Sequence, residues 1–147
     1  MDVVQLAGLQ VLGLTQPRVF TLPGVPHSKT RPKFLRQGHA YQDPADRAAE
    51  QVTGLRLRRA IPRKYPGNVG LACIFYRPNR QRIDTDNLLK HVMDAAQGIL
   101  WDDDSQCTLL LGILEYDRYR PRTVVIVGEH ASSMARGAMK VRANVPA

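Results

Sequence analysis

The stretch from Asp84 to Leu100 leaves this chain few ways to fold. At 3.6 residues per turn, Leu88, Leu89, Val92, Ala96 and Ile99 share one broad face, while Asp86, Lys90, Asp94 and Gln97 share another. A helix divided in this way must lay its apolar side on a core. The chain offers a partner just upstream, because Val69 to Tyr76 is a largely apolar run of strand length. Gly98 marks the expected end of the helix, and Asp84 stands just before its start.

Other elements follow from local signals. Val19 to Leu22 reads as a short strand ended by Pro23-Gly24, and a basic loop runs from His27 to about Gln42. Asp43 as N-cap and Pro44 at the first helical position open a second helix, which runs through Ala48, Val52 and Leu55 towards Arg59. Cys107 to Tyr116 and Thr123 to Val127 read as two closing strands, expected to form a hairpin around Asp117 to Pro121. Strands and helices mix without regular alternation, so the expected fold is a single α+β domain, a small mixed sheet packed against two main helices. A chain of 147 residues can bury about two-thirds of its extended surface, so the fold needs neither disulfides nor a structural metal. Cys73 and Cys107 each sit in an apolar run and read as buried thiols in strands. The expected divisions are an N-terminal extension over 1–16, the domain over 17–130, and a flexible basic tail over 131–147, where small and basic residues leave little to bury. The apolar stretch from Val3 to Leu14 is broken by Gln and Gly and has no basic leader, so neither a secretory signal nor a membrane span is expected.

Charge narrows the partners. Twenty-one Lys and Arg stand against thirteen Asp and Glu, a formal net charge of +8, which favours polyanions, nucleic acid before an acidic membrane surface. Yet acidic residues cluster around the central helix: Asp84-Thr-Asp86 at its start, and Trp101-Asp102-Asp103-Asp104 beyond its end. A plain account exists for the first cluster, with Asp84 as an N-cap and Asp86–Lys90 as a surface i,i+4 pair. An EF-hand is excluded, since Leu88 and Leu89 stand where a ligand and the required glycine belong. Three adjacent carboxylates repel one another unless solvated or bound to a cation. The helix is about 20–25 Å long, so Asp104 approaches Asp84 and Asp86 only if the chain after it runs back alongside the helix. Carboxylates so assembled suit magnesium, which takes one or two of them with water and phosphate oxygens. A metal pair there would activate water against a phosphodiester, and Lys90 would stabilise charge on the phosphate or orient the water.

The pattern resembles the RusA-type Holliday junction resolvases of phage type, which carry Asp-x-Asp-Asn-Leu-x-Lys-x-x-x-Asp-Ala and then aromatic-Asp-Asp-x-Gln. Asp84, Asp86, Asn87, Leu88, Lys90, Asp94 and Ala95 match the first block, and Trp101, Asp103, Asp104 and Gln106 the second. Pro26, Lys29, Arg31, Pro32, Lys33 and Phe34 fit the family's Pro-x-x-Lys-x-Arg-Pro-Lys/Arg-Phe segment, and the likeness covers roughly residues 19 to 128. The resemblance implies a cytoplasmic, phage- or prophage-encoded homodimeric endonuclease of a bacterial host, cutting four-way and related branched DNA symmetrically in recombination and repair. It implies Asp84, Asp86 and Asp104 as magnesium ligands (manganese substituting), with Lys90 assisting catalysis. Asp102, standing where an apolar residue is common, leaves Asp103 as the alternative third ligand. Asp94 is read either as supporting these groups or as structural.

Lys29, Arg31, Lys33, Phe34, Arg36, Arg80 and Arg82 form the expected DNA-binding set, the cations neutralising phosphates and Phe34 either wedging a base step or packing under the loop. His27, His39, His91 and His130 show no metal-ligand spacing, and His91 is expected at the surface. Trp101 is expected in the core or a dimer contact. Two rival functions are a metal-dependent nucleotide phosphohydrolase, against which the lack of a Gly-rich phosphate loop counts, and a non-catalytic basic DNA-binding protein.

Overall fold

The computed structural model describes residues 12–30, 33, 34, 38 and 40–134, with only the backbone of 33, 34 and 40. The expected tail from 135 onward and most of the N-terminal extension lie outside these residues. Among the described residues, six strands and two α-helices follow in the order β1 (Leu14–Pro23), β2 (Lys33–Phe34), β3 (Ala40–Tyr41), α1 (Pro44–Ala60), β4 (Val69–Arg77), α2 (Thr85–Ala96), β5 (Cys107–Tyr116) and β6 (Arg122–His130). Four strands make a mixed sheet in the order β1-β6-β4-β5, and β2 and β3 form a separate small ribbon. The domain is α+β, as the sequence led one to expect.

β4 is the most apolar segment and takes an interior place. Leu71, Ala72, Cys73, Ile74 and Phe75 are all buried, so successive residues on both faces are covered. It pairs antiparallel with β6 on one side and parallel with β5 on the other. The expected hairpin between β5 and β6 is therefore corrected, because β4 lies between them. The connection of residues 117–121 has to skip only one strand, roughly 9.5 Å, well within the reach of five residues. A short polar turn thus fixes proximity but not pairing. A parallel β4–β5 pair needs a long crossover, and α2 supplies it.

Both helices lie on one face of the sheet. Leu57 of α1 and Leu88, Val92 and Ala96 of α2 pack with Leu71, Cys73 and Phe75 of β4, Val125 and Val127 of β6, and with Leu100 and Trp101. Each fully buried leucine contributes about 1.5–3 kcal/mol of transfer free energy. Val52 and Leu55 of α1 are exposed, and the helix turns Gly54 and Leu57 inward instead. The Asp43 N-cap holds as expected, its Oδ1 accepting from the Ala45 N–H at 2.8 Å. α2 ends at Ala96, where Gly98, at φ +84°, reverses the chain. The free Cys73 thiol is buried, and burial pushes its pKa up.

α2 approaches β5 closely at Gly112, where an added Cβ would sit 2.9 Å from Thr85 Cγ2. Gly112→Val is accordingly expected to destabilise the domain by about 1–3 kcal/mol, read as a lower urea midpoint. An unchanged midpoint would mean that α2 shifts without cost.

Candidate active site

The start of α2 presents two acidic groups. Asp84 occupies the N-cap position with extended backbone, but its carboxylate makes no capping bond. The Asp84 carbonyl accepts from the N–H groups of Asn87 and Leu88 at 3.1 and 3.3 Å, and Asn87 Nδ2 reaches its carboxylate at 3.5 Å. Asp86 follows in the first turn, exposed, and among the described residues it has no hydrogen-bond or ion-pair partner. Both carboxylates sit at the N-terminal end of the helix.

The three carboxylates after α2 are separated by giving each a different neighbour. Asp102 points outward to Lys64 at 2.8 Å. Asp103 caps a 3₁₀ turn over Asp104–Gln106, accepting from the Ser105 N–H at 3.1 Å and from its hydroxyl. Gln106 closes the capping box: its Oε1 accepts from the N–H groups of Asp102 and Asp103, and its Nε2 donates to the carbonyls of Tyr65 and Gly67 at 2.9 Å. Asp104 alone turns back over the helix. Its Oδ1 accepts from Nε1 of the buried Trp101 at 2.9 Å, and its Oδ2 lies 3.6 Å from Lys90 Nζ. With its amide nitrogen turned to the same carboxylate, Gln97 donates at 3.0 Å. The chain does run back alongside α2, then, and Trp101 is a core residue.

Lys90 also pairs with Asp94 at 3.0 Å, and Lys29 reaches Asp94 directly and Glu50 at 3.5 Å. Glu50, Lys29, Asp94, Lys90 and Asp104 thus alternate in sign across α1, the 27–30 loop, α2 and the turn. The hydrogen bond that Lys90 donates to Asp94 raises the Lys90 pKa against the opposing effect of burial, with the charges of Asp94 and Asp104 adding to it. For Lys29, burial lowers the pKa but Asp94 and then Glu50 outweigh it, leaving it raised. Both lysines are cations at neutral pH, so Lys90 is suited to stabilise negative charge and unsuited to accept a proton.

Among the described residues no three His, Cys, Asp or Glu side chains are gathered ready around one point. Asp84 and Asp86 stand at the helix start, and Asp104 is reached through Lys90. The donor chemistry nonetheless fits magnesium, which needs hard oxygens from only one or two carboxylates, and Asp84 and Asp86 have no cationic partner among the described residues.

A cluster that sequence spacing missed lies behind the lysines. Asp46 of α1 is 2% exposed. It accepts from His27 Nε2 at 2.6 Å and from the Thr30 N–H and hydroxyl at 3.1 and 2.6 Å. Burial alone would raise its pKa, but the Thr30 and His27 hydrogen bonds prevail and hold it below the usual carboxylate range. The Lys29 N–H donates to the Asn87 carbonyl at 3.1 Å, so the 27–30 loop is tied to α1 and to the first turn of α2 together. His91, expected at the surface, is 5% exposed. That expectation is corrected because α1 packs over this side of α2: the imidazole Nε2 meets Thr53 Oγ1 at 2.9 Å, and the ring lies edge-on to His27. The only sequence cue was the i,i+3 step from Leu88 to His91, on to Ala95, which continues the apolar face.

Of the expected DNA-binding residues, Arg31 and Arg36 lie outside the described residues, and Lys33 and Phe34 are placed by backbone alone, paired with Tyr41 and Ala40. Lys29 faces Asp94 and Glu50. Arg80 and Arg82 line an open cleft of about 690 Å³ that ends at Asp84.

The site thus combines carboxylates and a protonated lysine along one helix with an arginine-lined cleft at its start. The chain belongs to the RusA endodeoxyribonuclease family: the model described as Endodeoxyribonuclease RusA matches residues 23–128, spanning both acidic clusters and the cleft. No curated protein matches the chain.

Burial pushes the His91 pKa down to about 4, with the neighbouring His27 charge adding to it. Between about pH 6.5 and 4 the unfolded chain binds this proton and the folded one does not, so stability falls as pH falls, by at most about 1.4 kcal/mol per pH unit. His91→Gln is expected to flatten the denaturation midpoint across that window. An equal slope in both proteins would remove His91 from the acid response.

Proposed function

We propose that the protein is a structure-selective endodeoxyribonuclease that resolves Holliday junctions and related branched DNA by magnesium-dependent, symmetrical phosphodiester cleavage, serving recombination and repair. The observation that carries this reading is the turn of Asp104 onto Lys90, one helical turn from Asp86, which has no partner among the described residues, inside the RusA match. Asp84, Asp86 and Asp104 would hold the metal, which supplies Lewis acidity towards the phosphate and a lowered pKa for attacking water. Manganese offers the same oxygen preference and is expected to substitute.

Lys90 stays charged and places its ammonium beside the phosphate, where it stabilises the developing negative charge. Asp94 holds that ammonium in place and acts through it. Trp101 and Gln97 orient the Asp104 carboxylate, so its direction is set before substrate arrives. Asp103 spends its carboxylate on the turn, which favours Asp104 over it as the third ligand. Arg80 and Arg82 lead the backbone towards Asp84, and Lys33 with the other cations of the 29–36 segment neutralises phosphates further out. A four-way junction has approximate two-fold symmetry, so a homodimer presents two equivalent sites to two equivalent strands.

The test uses purified protein with a synthetic four-way junction and a matching linear duplex, each in magnesium and in chelator. Paired nicks in the junction, only with metal, are the expected result; junctions bound but left intact across metals and pH would sink the reading. Asp86→Asn and Asp104→Asn should abolish cutting while keeping junction binding, and Lys90→Ala should slow it by about 10²–10³-fold. Asp103→Asn should cut and lose only stability. If Asp103→Asn is dead and Asp104→Asn is active, the third ligand is Asp103.

The basic segment has its own measurement. Lys33→Ala is expected to weaken junction binding and lower the slope of log affinity against log salt by about 1. An unchanged slope removes Lys33 from the phosphate contacts.

A further inference from the structure

The cleft that ends at Asp84 has a second wall that the cleavage reading leaves idle. One side is the turn from Arg77 to Asp84, and the other is the end of β5, with Leu114 and Tyr116. Its volume of about 690 Å³ falls within the roughly 300–1,000 Å³ of small-molecule sites. Leu114 and Tyr116 are both 41% exposed, on an edge strand where water would otherwise meet them. The Arg80 guanidinium lies 4.1 Å from the Tyr116 ring centroid, a cation–π contact that fixes the ring's orientation without burying it.

The cleft is cationic, and of its three arginines Arg80 already lies over Tyr116. Arg77, Arg80 and Arg82 line it, and none of them makes an ion pair among the described residues. Arg77 Nε is buried with no acceptor, so its guanidinium is only partly satisfied by Asn79 Oδ1 at 3.4 Å. Against these three charges stand Glu115 and Asp84, the latter a proposed metal ligand. The arginine wall has the charge for a phosphate, and the apolar wall has the chemistry for a planar base. Both stand within one nucleotide's reach of a proposed metal ligand.

We infer that this cleft is a nucleotide subsite: it takes a nucleotide adjoining the scissile phosphate, with the base unstacked from the DNA and seated on Leu114 and on the outer face of the Arg80 guanidinium that covers Tyr116, and the phosphate held by Arg77 and Arg82. The inference rests on the branched-DNA reading above and names what that site selects. Bases at a branch point are cheaper to unstack than bases inside a duplex, because part of their stacking is already lost. A base seat beside the proposed metal ligands therefore favours branched DNA over linear DNA. The Arg80 plane, backed by the Tyr116 ring, forms a stacking platform for that base.

The experiment measures junction binding by the full chain in chelator, so that nothing is cut. Two junctions are compared: an intact one, and one with an abasic analogue at either nucleotide flanking the cut bond, tested one at a time. At one of these positions the wild type is expected to lose affinity about tenfold on removal of the base, a magnitude set by base–aromatic stacking. Tyr116→Ala should bind the intact junction about tenfold more weakly and show an abasic-to-intact ratio near one, and Tyr116→Phe should restore the wild-type ratio. The same abasic penalty in wild type and Tyr116→Ala overturns the subsite. An altered oligomeric state of Tyr116→Ala with an unchanged ratio also overturns it, assigning the cleft to subunit contact. Magnesium-dependent cutting of the intact junction by wild type is the separate control: its presence with an unchanged ratio sinks the subsite alone, and its absence sinks the cleavage reading.

Discussion

Strand β4 has no face that it can show to water. Five consecutive residues, Leu71 to Phe75, are buried whichever way they point, so the strand needs neighbours on both edges and cover on both faces. β6 and β5 take the edges. Because β5 runs parallel to β4, the chain must travel back the full length of the sheet between them, and α2 is that return path. This places Asp84 where β4 gives way to the helix, and the Asp102–Asp104 cluster where the helix gives way to β5. The acidic groups therefore sit at opposite ends of one crossover, and only a reversal at the far end can bring them towards each other. Gly98, with its positive φ, and the docking of Trp101 into the core supply that reversal.

The electrostatics follow from the same packing. α1 laid across α2 half-buries several charged groups, and such groups persist when each has an opposite neighbour or a hydrogen bond. The alternating line from Glu50 through Lys29, Asp94 and Lys90 to Asp104 meets that need. It also leaves Lys90 firmly protonated and Asp104 aimed by Trp101 and Gln97. Asp46 is buried more deeply, and Thr30 and His27 satisfy it. Through the Lys29–Asn87 backbone bond and the Asp46 hydrogen bonds, the 27–30 segment is tied to α1 and to the start of α2. Asp84 and Asp86 are outside this web, as suits groups that must bind something from solution.

Much of the site could be read from the sequence because its chemistry is local. The i,i+4 step from Asp86 to Lys90 to Asp94 is fixed by helical geometry, and the Asp43-Pro44 helix start and the Gly98 stop are written in single residues. The motif blocks carried the family, which the match over residues 23–128 bears out. Other parts could not be read. The β5–β6 turn looked like a hairpin because a five-residue link between strands usually is one; whether a strand slips between them depends on β4's demand for two edges. His91 looked exposed because its burial depends on where α1 crosses, and the burial of Asp46, which no sequence spacing marked, depends on the same packing.

The sequence by itself determined the α+β class, the amphipathic helix and the residue types available for phosphate chemistry, since propensity, periodicity and capping act over a few residues. Tertiary structure decided which of three adjacent aspartates turns inward, which lysine is locked by which carboxylate, and that Arg80 lies over Tyr116 in a cleft that ends at Asp84. Those choices join residues of the chain far apart in sequence, and they are settled by packing against β4, whose constraints no local pattern contains.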